Sequence, residues 1–176
     1  MIEQPSRILL VGMMGSGKTT VGRELARKTG WQFLDNDALV RELTGREPAT
    51  IDAEDGEDAL HAAEIAALRA ALARPGSVVI AVAGAIVDDQ AASAELRAGA
   101  NPNVWLRARP QALRGRIGAG TGRRADARDL GWLMARALER EPRYLAVADQ
   151  VIDVEDHRPR AIAGAILAAI GARSAV

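Results

Sequence analysis

The chain has 176 residues, 48 % of them hydrophobic and 26 % charged, which fits one folded domain that buries its own core and excludes a disordered chain. Its 23 basic and 23 acidic side chains cancel, so the basic surplus of a constitutive nucleic-acid binder is missing. Cysteine is absent, which excludes disulfides and thiolate metal sites, and no run approaches the ~20 apolar residues of a membrane span.

Arg7 to Gly12 is a short apolar run ending in glycine and reads as a buried strand. Gly15 to Lys18 forms a loop, and Thr19 to Thr29 places Val21, Leu25 and Ala26 at helical spacing, with Gly30 as its C-cap. Trp31 to Leu34 is a second strand running into Asp35-Asn36-Asp37, and Ala38 to Leu43 makes one or two helical turns stopped near Gly45. The acidic cluster Asp52, Glu54, Asp55, Glu57 and Asp58 precedes an alanine-rich helix from Asp58 to Ala73, where carboxylates favour the positive end of the helix dipole. Ser77 to Val82 is the third strand, followed by Ala83-Gly84-Ala85 and a helix over Asp89 to Ala98. Asn103 to Arg107 is the fourth strand, and Pro110 opens a helix that runs to Ile117. Residues 118–124 are glycine-rich and basic, in the manner of a mobile loop. A helix over Asp129 to Glu139, a fifth strand over Asp149 to Val154 and a helix over Pro159 to Ile170 complete the chain. Strands alternating with helices imply an α/β fold, a parallel sheet covered on both faces, built as one domain over residues 1–176.

Gly12-Met-Met-Gly15-Ser16-Gly17-Lys18-Thr19 satisfies the phosphate-loop pattern, with a strand before it and an amphipathic helix after it. Glycines let several backbone N–H groups converge on one phosphate chain at the positive end of a helix. Lys18 reaches the β- and γ-phosphates and the Thr19 hydroxyl is placed for Mg²⁺; Gly15, Ser16, Gly17 and Thr20 complete the nucleotide-binding set. Lysine occurs only at 18 and 28 in a chain that otherwise writes arginine, so Lys18 stands out. Asp35 and Asp37 follow the second strand, at the edge where open α/β sheets bind ligands. One carboxylate near a metal and one near an acceptor hydroxyl suit in-line phosphoryl transfer; an N-cap and first-turn pair is the competing structural reading. Arg114, Arg116, Arg123, Arg124 and Arg128 make a basic segment that suits a lid closing over a triphosphate or, equally simply, a solvated arginine-rich surface.

Taken together, the phosphate loop, the Asp35-x-Asp37 pair, Thr44-Gly45, Asp55-Gly56-Glu57 with Glu64, the glycine-containing turn after the third strand and Arg140-x-Pro142-x-Tyr144 resemble the shikimate kinases. The resemblance runs from Ile8 to about Asp153. It implies a three-layer P-loop kinase fold of the nucleoside-monophosphate-kinase kind: a five-stranded parallel sheet, helices on both faces and a mobile lid, here approximately 118–128. It further implies transfer of the ATP γ-phosphate to a ring hydroxyl. Position by position, Lys18 and Thr19 would hold phosphate and Mg²⁺, Asp35 would support the metal through water, and Asp37 would bind and activate the acceptor hydroxyl. Arg116 would pack on adenine, Arg123 would be the lid arginine, and Gly84 and Arg140 would hold the acceptor.

Departures from the family pattern gather in the acceptor half. A Phe-Arg-x-x-Glu motif reads Leu60-His61-Ala62-Ala63-Glu64, three consecutive glycines read Ala83-Gly84-Ala85, and an apolar position after Ile51 is Asp52. Two methyl groups at Ala83 and Ala85 would narrow the pocket or forbid positive φ, and Glu64, one helical turn from His61, is placed to keep the imidazole protonated. The expected activity is that of an ATP- and Mg²⁺-dependent phosphotransferase with an alcohol acceptor. The acceptor would be shikimate or, in preference, a related small hydroxy acid or polyol; the alternative is a catalytically weak nucleotide-binding regulator of the same fold. The remaining expectations are a monomer or weak homo-oligomer, no nucleic-acid or membrane partner, and, since the stretch before Arg7 is too short and polar for a secretory leader, a cytoplasmic location.

Overall fold

Apolar residues in the strands fall alternately on two faces, and each face has its own helical cover. The computed structural model describes residues 7–117 and 129–173; the segment 118–128, expected as the lid, and Arg123 within it lie outside the described residues. Strands β1 (Arg7–Val11), β2 (Gln32–Asp35), β3 (Val78–Ala81), β4 (Asn103–Arg107) and β5 (Gln150–Asp153) form one parallel sheet in the order β2-β3-β1-β4-β5. Ile8 and Leu10 of β1 turn to one side, with Val79, Val104 and Leu106. There they meet Val21 and Leu25 of α1 (Lys18–Thr29) and Ile162, Ala163 and Ile166 of α8 (Pro159–Arg173). Leu9 and Val11 turn to the other side, with Val78, Ile80 and Trp105. That face is covered from α2 (Asn36–Thr44), α3 (Pro48–Asp55), α4 (Glu57–Leu72), α5 (Gln90–Ala98), α6 (Pro110–Arg116) and α7 (Leu130–Val147). The period of two in side-chain direction therefore builds two cores from one strand set. Close packing of α1 on β2 depends on Gly22, where any Cβ would run into the Phe33 ring.

Three features differ from expectation. Pro48–Asp55 is helical, with Pro48 at the first turn and Ile51 buried beneath it; eight residues carrying one buried apolar side chain show too little periodicity to read as a helix. Asp52, Glu54 and Asp55 consequently lie in its last turn, where the dipole disfavours carboxylates. Arg46 offsets this by pairing with Glu54 at 2.6 Å and with Asp55. Only Glu57 and Asp58 occupy the favourable first turn of the following helix. Finally, α7 continues eight residues past Glu139, through Pro142 to Val147. Burial of Arg140, Tyr144 and Val147 outweighs the local cost of an internal proline. No helix among the described residues is long and apolar enough to cross a membrane.

Candidate active site

The loops after β1, β2 and β3 meet at the carboxyl edge of the sheet, around a cleft of about 600 Å³. Gly12, Gly15 and Gly17 all have positive φ, at 144°, 83° and 92°. At Gly15 a side chain is excluded twice over, because a Cβ would also lie 2.9 Å from Ile117 and from the Leu113 carbonyl. Lys18 Nζ donates to the Gly12 and Met13 carbonyls at 2.6 and 3.0 Å, which holds the ammonium over the loop. Gly15, Gly17, Lys18, Thr19, Thr20 and Arg116 line the cleft. Ser16 does not: its side chain is buried and turned into the protein, so that residue has only its backbone to offer a phosphate.

Asp35 caps α2 and also binds the phosphate-loop threonine. Its Oδ1 accepts from the Asp37 N–H at 3.0 Å as the N-cap of α2, while Oδ2 accepts from the Thr19 hydroxyl at 2.7 Å. The cap fixes the first turn of α2 and so sets Asp37 facing the same cleft. Arg116 Nη2 donates to the carbonyls of Val154 and Glu155 at 2.8 and 3.0 Å, which ties the end of α6 to the loop after β5.

His61, Gly84 and Arg140 also line the cleft, with Gly84 packed against the phosphate loop. Ala83 has φ −60° and ψ 140°, and no described non-glycine residue has positive φ, so the expected backbone strain at the alanines does not arise. Gly84 is needed for space: a Cβ there would lie 3.2 Å from the Gly12 carbonyl. The Tyr144 hydroxyl donates to the Gly84 carbonyl at 2.7 Å and fastens this turn to α7. Burial pushes the Tyr144 phenol well above its ordinary range, so it remains a neutral donor.

Arg140 is 7 % exposed and is gripped by Asp88, which accepts from its Nε at 3.0 Å and its Nη2 at 2.7 Å. Arg143 donates to the second Asp88 oxygen at 2.6 Å. Burial works to raise the Asp88 carboxyl, but the two guanidiniums overcome it and hold it below the usual carboxylate range. His61 Nδ1 lies 3.6 Å from Glu64 Oε2, an ion-pair separation rather than a hydrogen bond, and the Glu64 carboxylate raises the imidazole above its ordinary range against the effect of burial. Asp88 escaped the sequence reading because its partners Arg140 and Arg143 lie 52 and 55 residues away along the chain. Its neighbour Asp89 carried the visible signal, and caps α5 by accepting from the Ala92 N–H at 2.7 Å.

The shikimate kinase family model matches residues 14–171. The chain belongs to the shikimate kinase family. The shikimate kinase of Moorella thermoacetica is 41 % identical over 173 residues, 96 % of each chain. That of Symbiobacterium thermophilum is 39 % identical over 145 residues, 80 % of this chain and 82 % of the other. Among solved structures, the shikimate kinase of Acinetobacter baumannii in complex with shikimate superimposes with a TM-score of 0.88 at 28 % identity, over 97 % of this chain and 95 % of that one. The chain is thus a shikimate kinase-like, ATP-dependent phosphotransferase with an alcohol acceptor, on the P-loop kinase fold. These relatives do not favour the regulator alternative. The cleft of this family member thus combines a phosphate loop with His61 and with an Arg140 already paired with Asp88.

Proposed function

We propose that the chain transfers the γ-phosphate of MgATP to a ring hydroxyl of a small polyhydroxylated acceptor, one of the shikimate kind in size and shape. The observation that carries this reading is the shared cleft: Lys18 and Thr19 from the phosphate loop, and Asp37 from the capped start of α2, line one continuous space. Lys18, leaving the two carbonyls that hold it, pairs with β- and γ-phosphate oxygens as charge shifts between them. The carboxylate of Asp37 accepts the acceptor hydroxyl proton as the oxygen bonds to the γ-phosphorus and the bond to the β-phosphate oxygen breaks, leaving ADP.

The residues present fit a magnesium ion. Thr19 Oγ1 and Asp35 Oδ2 are hard oxygen donors 2.7 Å apart at the mouth of the phosphate loop, and Mg²⁺ takes few protein ligands, filling its octahedron with phosphate and water oxygens. Bound there, it supplies charge neutralisation for the β- and γ-phosphates. Arg116, fixed by two carbonyls, offers the flat face of its guanidinium to adenine. His61, Gly84 and Arg140 border the acceptor.

The test is ADP release from MgATP against shikimate, quinate, gluconate and neutral polyols. At least one acceptor should raise turnover well above background hydrolysis. Background hydrolysis alone with every acceptor would contradict the reading.

A further inference from the structure

Among the described residues, His61 and Arg140 in the cleft are already paired with carboxylates of the protein. The Nε–Nη2 edge of a guanidinium is the fork that receives a carboxylate with two parallel hydrogen bonds. On Arg140 this edge is taken by Asp88, which stands on the 3₁₀ turn Gly84–Asp88 and is further held by Arg143. His61 faces Glu64 across 3.6 Å, and Asp52 lines the same space. A carboxylate arriving on the acceptor would find the Nε–Nη2 edge of Arg140 taken and would have to sit beside Asp88 and Glu64. An ionised carboxylate only accepts hydrogen bonds, so Asp88 and Glu64 favour a ligand that donates to them.

We propose that Asp88 stands where an acidic acceptor would place its own carboxylate, so that this cleft takes an uncharged polyhydroxylated ring in preference to a hydroxy acid. The inference rests on the reading of the cleft as the acceptor site of a kinase. Recognition of charge, ordinarily the acceptor's contribution, is completed inside the protein, and the ring hydroxyls do the donating. Replacing Asp88 frees the arginine and restores an appetite for acids.

A matched pair of ligands separates charge from shape: shikimate and its carboxamide, which keeps the ring and its hydroxyls and exchanges the carboxylate for a neutral group of similar size. Titration calorimetry of each into the wild-type protein with Mg²⁺ and ADP should give the carboxamide a Kd at least about tenfold lower. In D88N the ratio of the two constants should move toward shikimate by about tenfold or more. If D88N does not fold, the wild-type pair decides alone. Tighter binding of shikimate by the wild-type protein overturns the proposal, and so does binding of neither ligand. Turnover of the same ligands with ATP is scored separately. A carboxamide that binds preferentially, with no phosphorylation of it or of any other acceptor tried, leaves the charge assignment standing and removes the kinase reading.

Discussion

Lys18 illustrates how a single side chain is prepared for chemistry before any ligand arrives. Its ammonium is supported by the Gly12 and Met13 carbonyls, acceptors that a polyphosphate readily outcompetes because its oxygens carry full charge. Lys18→Ala should keep the fold and lower turnover by about a hundredfold or more, measured as kcat in an ADP-release assay. Asp37→Asn should leave ATP affinity within about twofold and reduce acceptor phosphorylation by roughly 10²- to 10⁴-fold. Joint loss of both functions would make Asp37 a structural residue of α2. His61 gives a signature in pH. Its folded-state value is raised by Glu64, so the pair stabilises the protein fully below the unfolded imidazole value of about 6.5, and that stabilisation is lost as pH rises through the higher folded value. The Tm difference between wild type and His61→Ala should therefore be larger at about pH 6 than at about pH 9; an unchanged difference would remove the charged pair.

Among the elements, α1 and α7 show how much of the site depends on packing at a distance from it. Gly22→Ala drives a methyl group into the Phe33 ring and should cost about 1–3 kcal/mol in denaturant unfolding through overpacking between α1 and β2. Tyr144→Phe removes the donor to the Gly84 carbonyl and should cost about 1–3 kcal/mol, since a partly buried acceptor then lacks its partner. It should also raise KM for the acceptor more than KM for ATP, because the loosened turn carries Gly84 and Asp88. Parity between the two effects would show that Tyr144 serves only stability. The helix boundaries were legible wherever capping chemistry is local: Gly30 and Gly45 both end their helices in the left-handed conformation. They were illegible where tertiary burial decides. The helix expected to end at Glu139 runs on through Pro142, where Tyr144 stacks on Trp105 with ring centroids 5.4 Å apart.

Over the whole molecule, the phosphate half of the site was readable because its chemistry is contiguous: six residues of loop and the first turn of α1 contain Gly12 through Thr19, directly after β1. Asp35 and Asp37 were readable as a pair, though not as one residue serving both cap and Thr19. The acceptor half is assembled from α4, the turn after β3 and α7, residues 61, 88 and 140, and no local pattern couples them. Its departures from the family pattern were visible in the sequence, but their common direction emerges only when Asp88 is seen on Arg140. The parallel sheet brings all of these loops to one edge, so that Lys18, Asp37, His61 and Arg140 line one cleft over the carboxyl ends of β1, β2 and β3.

Phosphorus NMR of the protein with MgATP and each acceptor tests the kinase reading most directly. The expected result is a new phosphomonoester resonance that grows in step with ADP for at least one small polyhydroxylated ring and is lost with Asp37→Asn. Growth of inorganic phosphate in step with ADP, with no ester from any acceptor, would contradict it.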